Sequence, residues 1–185
     1  MDESTRRDAR QNRDKILRIA RQVFSEQGLD APMTSVARSA GLAPATLYRH
    51  FPSRAALTTA VFSSDLQSCA ALLKNALDDP DPRHGLVMVL AEIAKQQVQQ
   101  PAFADAFLGR APSLPEFEAL RRETEHLLGD LVGRAKAEGS LRKDFTVNDV
   151  FIVLFANRGL AAMPSGAGLK ASRRLMAFLS EAFFD

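Results

Sequence analysis

Cysteine is nearly absent from this 185-residue chain: Cys69 stands alone, beside a single tyrosine and no tryptophan. One cysteine excludes an internal disulfide and any multi-cysteine metal site. Reducing surroundings are therefore permitted. Histidine is scarce too. His84 and His126 stand 42 residues apart, and neither has a His or Cys four positions away, so no metal site is expected. Long hydrophobic runs are missing. The apolar patch Val150 to Leu154 falls far short of the roughly 18 residues needed to cross a bilayer. The opening residues, Met1 to Arg7, hold no apolar core, so no secretory signal is expected. The expected location is cytoplasmic, with no membrane partner. No Gly-x-x-x-x-Gly-Lys loop occurs, and no local motif brings a serine nucleophile to a histidine base. The chain is expected not to be an enzyme and to need no cofactor.

What is present is an ordinary globular composition, 46% apolar and 25% charged, with a net charge of +2. That small total hides an asymmetry. Residues 1–54 carry 10 Lys/Arg against 6 Asp/Glu, whereas residues 55–185 carry 14 against 16. A basic first third suggests an anionic partner. On charge alone that partner is nucleic acid or a membrane surface, or the charges form a solvated face.

The apolar periodicity is helical nearly throughout. Ile16, Ile19, Ala20, Val23 and Phe24 share one helical face, which Gly28 ends. A second helix opens near Pro32 and stops at Gly41. A short third runs from Pro44 to about Phe51 and is closed by Pro52. Ser53 is a candidate N-cap for a long fourth helix to about residue 77. The cluster Asp78 to Pro82 breaks the chain. Further helices follow around Leu86–Ile93, around Phe103 and Phe107, from Phe117 to near Gly139, from Val150, and around Leu175–Phe183. No useful strand alternation is found. The fold class is therefore all-α with about nine helices.

Chemistry concentrates between Ala31 and Leu57. Two short helices joined through Gly41-Leu42-Ala43 form a candidate helix-turn-helix. In the second, Leu47 and Phe51 can face a core while Ala45, Thr46 and Arg49 face outward. Small residues let a helix approach base edges. Tyr48 and His50 present polar tips suited to phosphate oxygens, and Arg54 adds a cation nearby. By residue type alone, the same stretch is also compatible with a structural corner that buries its tyrosine.

The run Ala37 to Leu57 resembles the signature of the tetracycline-repressor (TetR) family: small residues, Gly41, then Thr46-Leu47-Tyr48-x-His50-Phe51 and a basic residue before Leu57. The resemblance extends over roughly residues 11–62. Ala43 stands where the family commonly has a capping Ser or Thr, Ala45 where Gly is frequent, and Arg54 where Lys is frequent. The stretch from Leu131 to Val150, including Gly139-Ser140-Leu141-Arg142, is similar to one group of these regulators.

The resemblance implies a DNA-binding domain over residues 1–54 and a ligand-binding and dimerisation domain over residues 55–185. It implies a dimer, most simply a repressor, that binds a pseudo-palindromic operator in double-stranded DNA and is released by a small-molecule effector. Thr34, Ser35, Ala45, Thr46, Tyr48, Arg49, His50 and Arg54 are the DNA-binding candidates. The N-terminal arginines Arg6, Arg7, Arg10 and Arg13 form an arm that either reaches DNA or is solvated. Phe103, Phe107, His126, Phe151, Phe155 and Arg158 are candidates for the effector pocket, and the phenylalanines are equally readable as plain core. The last two helices would build the homodimer interface through Phe151, Leu154, Leu175, Phe178, Leu179 and Phe183. The polar run Gln96, Gln97, Gln99, Gln100 reads as a solvated face, and Cys69 as an inert thiol on an apolar stripe. A helical small-molecule-binding protein or an enzyme that never touches DNA is the alternative.

Overall fold

The computed structural model describes residues 3–164 and 166–184, with side chains from residue 10 onward. Among these, nine α-helices follow one another: α1 (Glu3–Gln27), α2 (Met33–Ala40), α3 (Pro44–His50), α4 (Arg54–Leu77), α5 (Pro82–Gln99), α6 (Pro101–Phe107), α7 (Pro115–Ala137), α8 (Val147–Arg158) and α9 (Ala167–Phe183). A short 3-10 turn over Gly159–Ala162 follows α8. No strand forms among the described residues; one isolated antiparallel bridge joins Leu141 and Phe184. The chain divides into two compact units, Met1–Ser64 with Asp105–Glu118, and Asp65–Ala104 with Ala119–Asp185. The boundary falls inside α4.

The first unit is organised by the apolar face of α1. Ile16, Ala20, Val23 and Phe24 are buried, together with Val36, Ala37 and Ala40 of α2, Leu47 of α3 and Leu57 and Phe62 of α4. The rings of Phe24 and Phe62 lie 6.2 Å apart. Gly41 turns the chain between α2 and α3 with φ at 69°, a left-handed conformation that disfavours a side chain. Its N–H reaches the carbonyls of Ala37 and Arg38, which closes α2. Ala43 offers no side-chain cap to α3, and Pro44 starts that helix with a φ already suited to it. Ser53 Oγ accepts the N–H of Ala56 at 3.1 Å and caps α4 as its position suggested.

The second unit packs α5 against α8 and α9. α5 and α9 run antiparallel. Val98 lies against Gly168 near one end, and the Arg83 guanidinium sits 4.9 Å over the Phe184 ring near the other. A Cβ on Gly168 would fall 2.3 Å from the Leu160 carbonyl oxygen, so this crossing requires glycine. Ala94, Val153 and Met176 form a buried cluster against which Leu175, Leu179 and Phe183 pack.

The expected solvated glutamine face is corrected here. Gln97 is 3% exposed, and Asn157 on α8 is fully buried. Asn157 Nδ2 donates to the Ala94 carbonyl at 2.9 Å and to Gln97 Oε1 at 3.1 Å. A polar run on a helix can wrap from water into the core, because four residues span a full turn. Gln97 Nε2 and Asn157 Oδ1 keep no partner among the described residues.

Candidate nucleic-acid interface

α3 is short and strictly two-sided. Leu47 is fully buried and Phe51, just past its end, is 1% exposed. These two anchors, four residues apart, fix which face of α3 points outward. On that face Ala43, Pro44, Ala45, Tyr48 and Arg49 are exposed, and Thr46 and His50 are half-buried. Tyr48 keeps 46% of its surface in solvent, so the reading of a corner with a buried tyrosine does not hold. Arg49 Nη2 donates to Thr46 Oγ1 at 3.2 Å, joining two of the candidates into one polar pair on the outer face.

The outer face combines small residues near the helix start with a hydroxyl, a phenol and a guanidinium. A backbone unhindered by bulk can come close to base edges. A guanidinium carries the planar donor pair that matches a guanine edge, and a phenol can donate to a phosphate oxygen.

Two arginines, Arg13 exposed and Arg54 half-buried, tie this corner to its neighbours. Arg13 of α1 stacks its guanidinium 4.4 Å over the Phe51 ring. Its Nη1 donates to the His50 carbonyl at 3.4 Å. A cation at the carboxyl end of α3 is favoured by the helix dipole. Of the expected arm, Arg13 is thus packed on α3, Arg10 is exposed, and Arg6 and Arg7 lie outside the residues whose side chains are described. Arg54 differs from expectation as well. Its Nη1 donates to the carbonyls of Leu29 and Ala31, each at 2.6 Å. It ties the α1–α2 connection to the start of α4, so its first role is to position the corner. Thr34 is exposed at the start of α2, whereas Ser35 is buried at 9% exposure and belongs to the packing of α2. Charge alone drew attention to Arg13 and Arg54. Their partners lie 23 to 38 residues away, and no local pattern reveals such contacts.

The expected pocket residues are scattered. Phe103 and Phe107 are buried on α6, each in a different unit. His126 is exposed on α7. Phe151 and Arg158 are half-buried, and Phe155 is 46% exposed. None of the six borders the groove between α5 and α9.

The expected interface residues divide in two. Leu154 is fully buried and is core, a correction that follows from its position one residue past Val153 on the inner side of α8. Leu175, Leu179 and Phe183 pack partly inward, and the Phe183 ring lies 4.7 Å from that of Phe145. Phe178 remains 54% exposed, under the guanidinium of Arg174 at 4.8 Å. Ile152, at 56% exposure, and Met163, at 42%, are further exposed apolar residues, and neither was a candidate from sequence. Residues 150–156 of α8 are apolar on every side, so their pattern points to no particular face.

The family comparisons agree with this geometry. The family model described as bacterial regulatory proteins, tetR family, matches residues 16–61. A second, described as the C-terminal domain of SbtR-like transcriptional regulators, matches residues 81–180. Among curated proteins, the chain is similar to the HTH-type transcriptional repressor KstR2 of Mycolicibacterium smegmatis, at 27% identity over 147 residues, 75% of this chain and 72% of that protein. Among solved structures it resembles the TetR transcriptional regulator SCO0520 from Streptomyces coelicolor, with 29% identity, a TM-score of 0.57, and coverage of 93% of this chain and 98% of that one. It shares its fold with FadR from Bacillus subtilis, solved in complex with stearoyl-CoA, at 15% identity and a TM-score of 0.65, covering 91% and 98% of the two chains. No described helix is long and apolar enough to cross a membrane. The chain belongs to the tetR family of bacterial regulatory proteins and is a DNA-binding transcriptional regulator.

Proposed function

We propose that the protein is a homodimeric repressor that places α3 of each subunit in the major groove of a pseudo-palindromic operator and is released by a small-molecule effector held in the second unit. The observation that carries this reading is the outward face of α3, where Ala45, Tyr48 and Arg49 are exposed while Leu47 and Phe51 anchor the opposite side. Thr46 and Arg49 form the base-reading pair, and Tyr48 with His50 contacts phosphate. Exposed Phe155, Ile152 and Phe178 on α8 and α9 are the apolar surface a second copy would cover. The presence of a ligand in the FadR structure supports a small-molecule effector. Release requires an effector with unequal affinity for the two conformations; a tenfold loss of DNA affinity needs about 1.4 kcal/mol of coupling.

The test is titration of the full chain against duplex fragments from its own promoter region. Binding is expected to weaken steeply with salt, because phosphate contacts release counterions. Tyr48→Phe is expected to weaken all sequences alike, and Thr46→Ala to alter preference among sequences more than total affinity. Absence of binding at low salt would remove the reading.

A further inference from the structure

The antiparallel helices α5 and α9 meet closely where Gly168 lies against Val98. Farther along they part, and a groove with about 180 Å³ of free space opens between them. Leu90, Val153 and Met176 are buried at its base. Leu179 and Phe183 extend the apolar wall, and the small side chains of Ala91 and Ala177 at the exposed mouth leave it unfilled.

The groove is not uniformly apolar. Lys95 lines it from α5 and Arg173 from α9. Contacts between Val98 and Gly168 and between Arg83 and Phe184 fix the antiparallel register. That register sets Lys95 and Arg173 at one level on opposite walls. Lys95 Nζ is held by both carboxylate oxygens of Glu92 at 2.9 Å. Arg173 is exposed and forms no ion pair among the described residues. Glu92 already offsets the charge of Lys95, so Arg173 is the cation of this lining without a carboxylate among the described residues, and an anion seated beside it gains a charge-assisted contact.

We propose that this groove binds a single-chain amphipathic carboxylate, its acid group between Lys95 and Arg173 and its chain lying along Leu90, Met176 and Phe183. From residue 95 back to residue 87, α5 advances roughly 12 Å, enough for a medium-chain acyl group. The site goes beyond the regulator reading, which names no ligand class. It is tested without DNA, so its failure leaves that reading standing.

The experiment is calorimetric titration of the full chain with decanoate, kept below the concentration at which decanoate forms micelles. Saturable binding of one decanoate per subunit is expected. Arg173→Glu is expected to weaken it about tenfold or more, the effect of losing one charge-assisted hydrogen bond. Decanol, with the same chain and no charge, is expected to bind correspondingly less tightly. Ala177→Trp, which fills the mouth, is expected to abolish binding. Both substitutions are at exposed positions, and circular dichroism verifies that helicity is kept. Lack of saturable binding would overturn the proposal, as would equal binding of decanol or of the Arg173 variant. If Ala177→Trp altered sedimentation but left decanoate binding intact, the groove would be a contact between copies and the proposal would fall.

Discussion

α3 and α8 are both short helices rich in apolar residues, yet they present opposite problems. α3 hides Leu47 and exposes Tyr48 and Arg49, so its inner and outer faces are separated by residue type. α8 hides Val150, Val153 and Leu154 but leaves Ile152 and Phe155 in solvent. A helix that divides its polarity declares its orientation, whereas one apolar all round requires a second partner surface. The difference teaches that the proposed DNA-facing side is carried by local pattern and the proposed subunit-facing side by tertiary placement.

The comparison is broken most severely by placing charge on the surface of α8 and α9. Ile152→Asp combined with Phe178→Asp is expected to convert a dimer wholly to monomer in sedimentation, while circular dichroism stays helical. A variant that remained dimeric would refute this face as the interface. Next in size is Leu47→Ala, which removes the buried anchor of α3. It is expected to cost about 2–5 kcal/mol in denaturant unfolding, the range for a large-to-small core change. A loss below about 0.5 kcal/mol, the size of an ordinary surface substitution, would mean that α3 is not held by its inner face.

The buried amide pair gives a smaller effect in the second unit. Asn157→Ala leaves Gln97 Oε1 without this donor and removes the side-chain bond to the Ala94 carbonyl. It is expected to cost about 1–3 kcal/mol. Gln97→Leu added to Asn157→Leu is expected to recover much of that loss, because removing both partners removes the unmet demand. If the double variant is no more stable than the single one, the pair is not a mutually dependent unit.

The smallest effect lies at the turn between α4 and α5. His84 Nδ1 lies 2.7 Å from Asp79 Oδ2. The hydrogen bond to Asp79, aided by its charge, raises the His84 pKa, and the bond from His84 lowers that of Asp79. A raised histidine pKa stabilises the fold below its unfolded value of 6.5 and loses that contribution as pH rises through the folded value. A lowered aspartate pKa stabilises above its unfolded value of 3.8 and is lost as pH falls through the folded one. The pair therefore contributes between the two, and His84→Gln is expected to flatten the decline in thermal stability above that window. An unchanged profile would show that the exposed pair contributes nothing to stability.

Much of this was legible before any coordinates. The helix breaks at Gly41, Pro52 and Asp78–Pro82, the core positions Leu47 and Phe51, and the cap at Ser53 all follow from local backbone chemistry and apolar spacing. The roles of Arg13, Arg54 and Gln97 were not legible. Each acts through a partner far away in the chain: the Phe51 ring, the carbonyls of Leu29 and Ala31, and the amide of Asn157. A long polar side chain looks the same in a sequence whether it meets water or a distant carbonyl. The proposed subunit face draws on both kinds of evidence, since helical spacing gives α9 an apolar side but leaves α8 without direction.

The central claim, that the outer face of α3 enters the major groove, has a direct test that exploits the lone thiol. Burial, with Asp65 and Glu92 adding to it, pushes the Cys69 thiol up to about 12, so it stays protonated and unreactive near neutrality. Ala45→Cys then gives one reactive site on α3 for a DNA-cleaving chelate. The account predicts two cleavage centres opening from the major groove about 34–36 Å apart, one for each subunit. Uncleaved DNA under conditions of full binding, or the same cleavage with the chelate moved to the exposed Ala71 of α4, would contradict it.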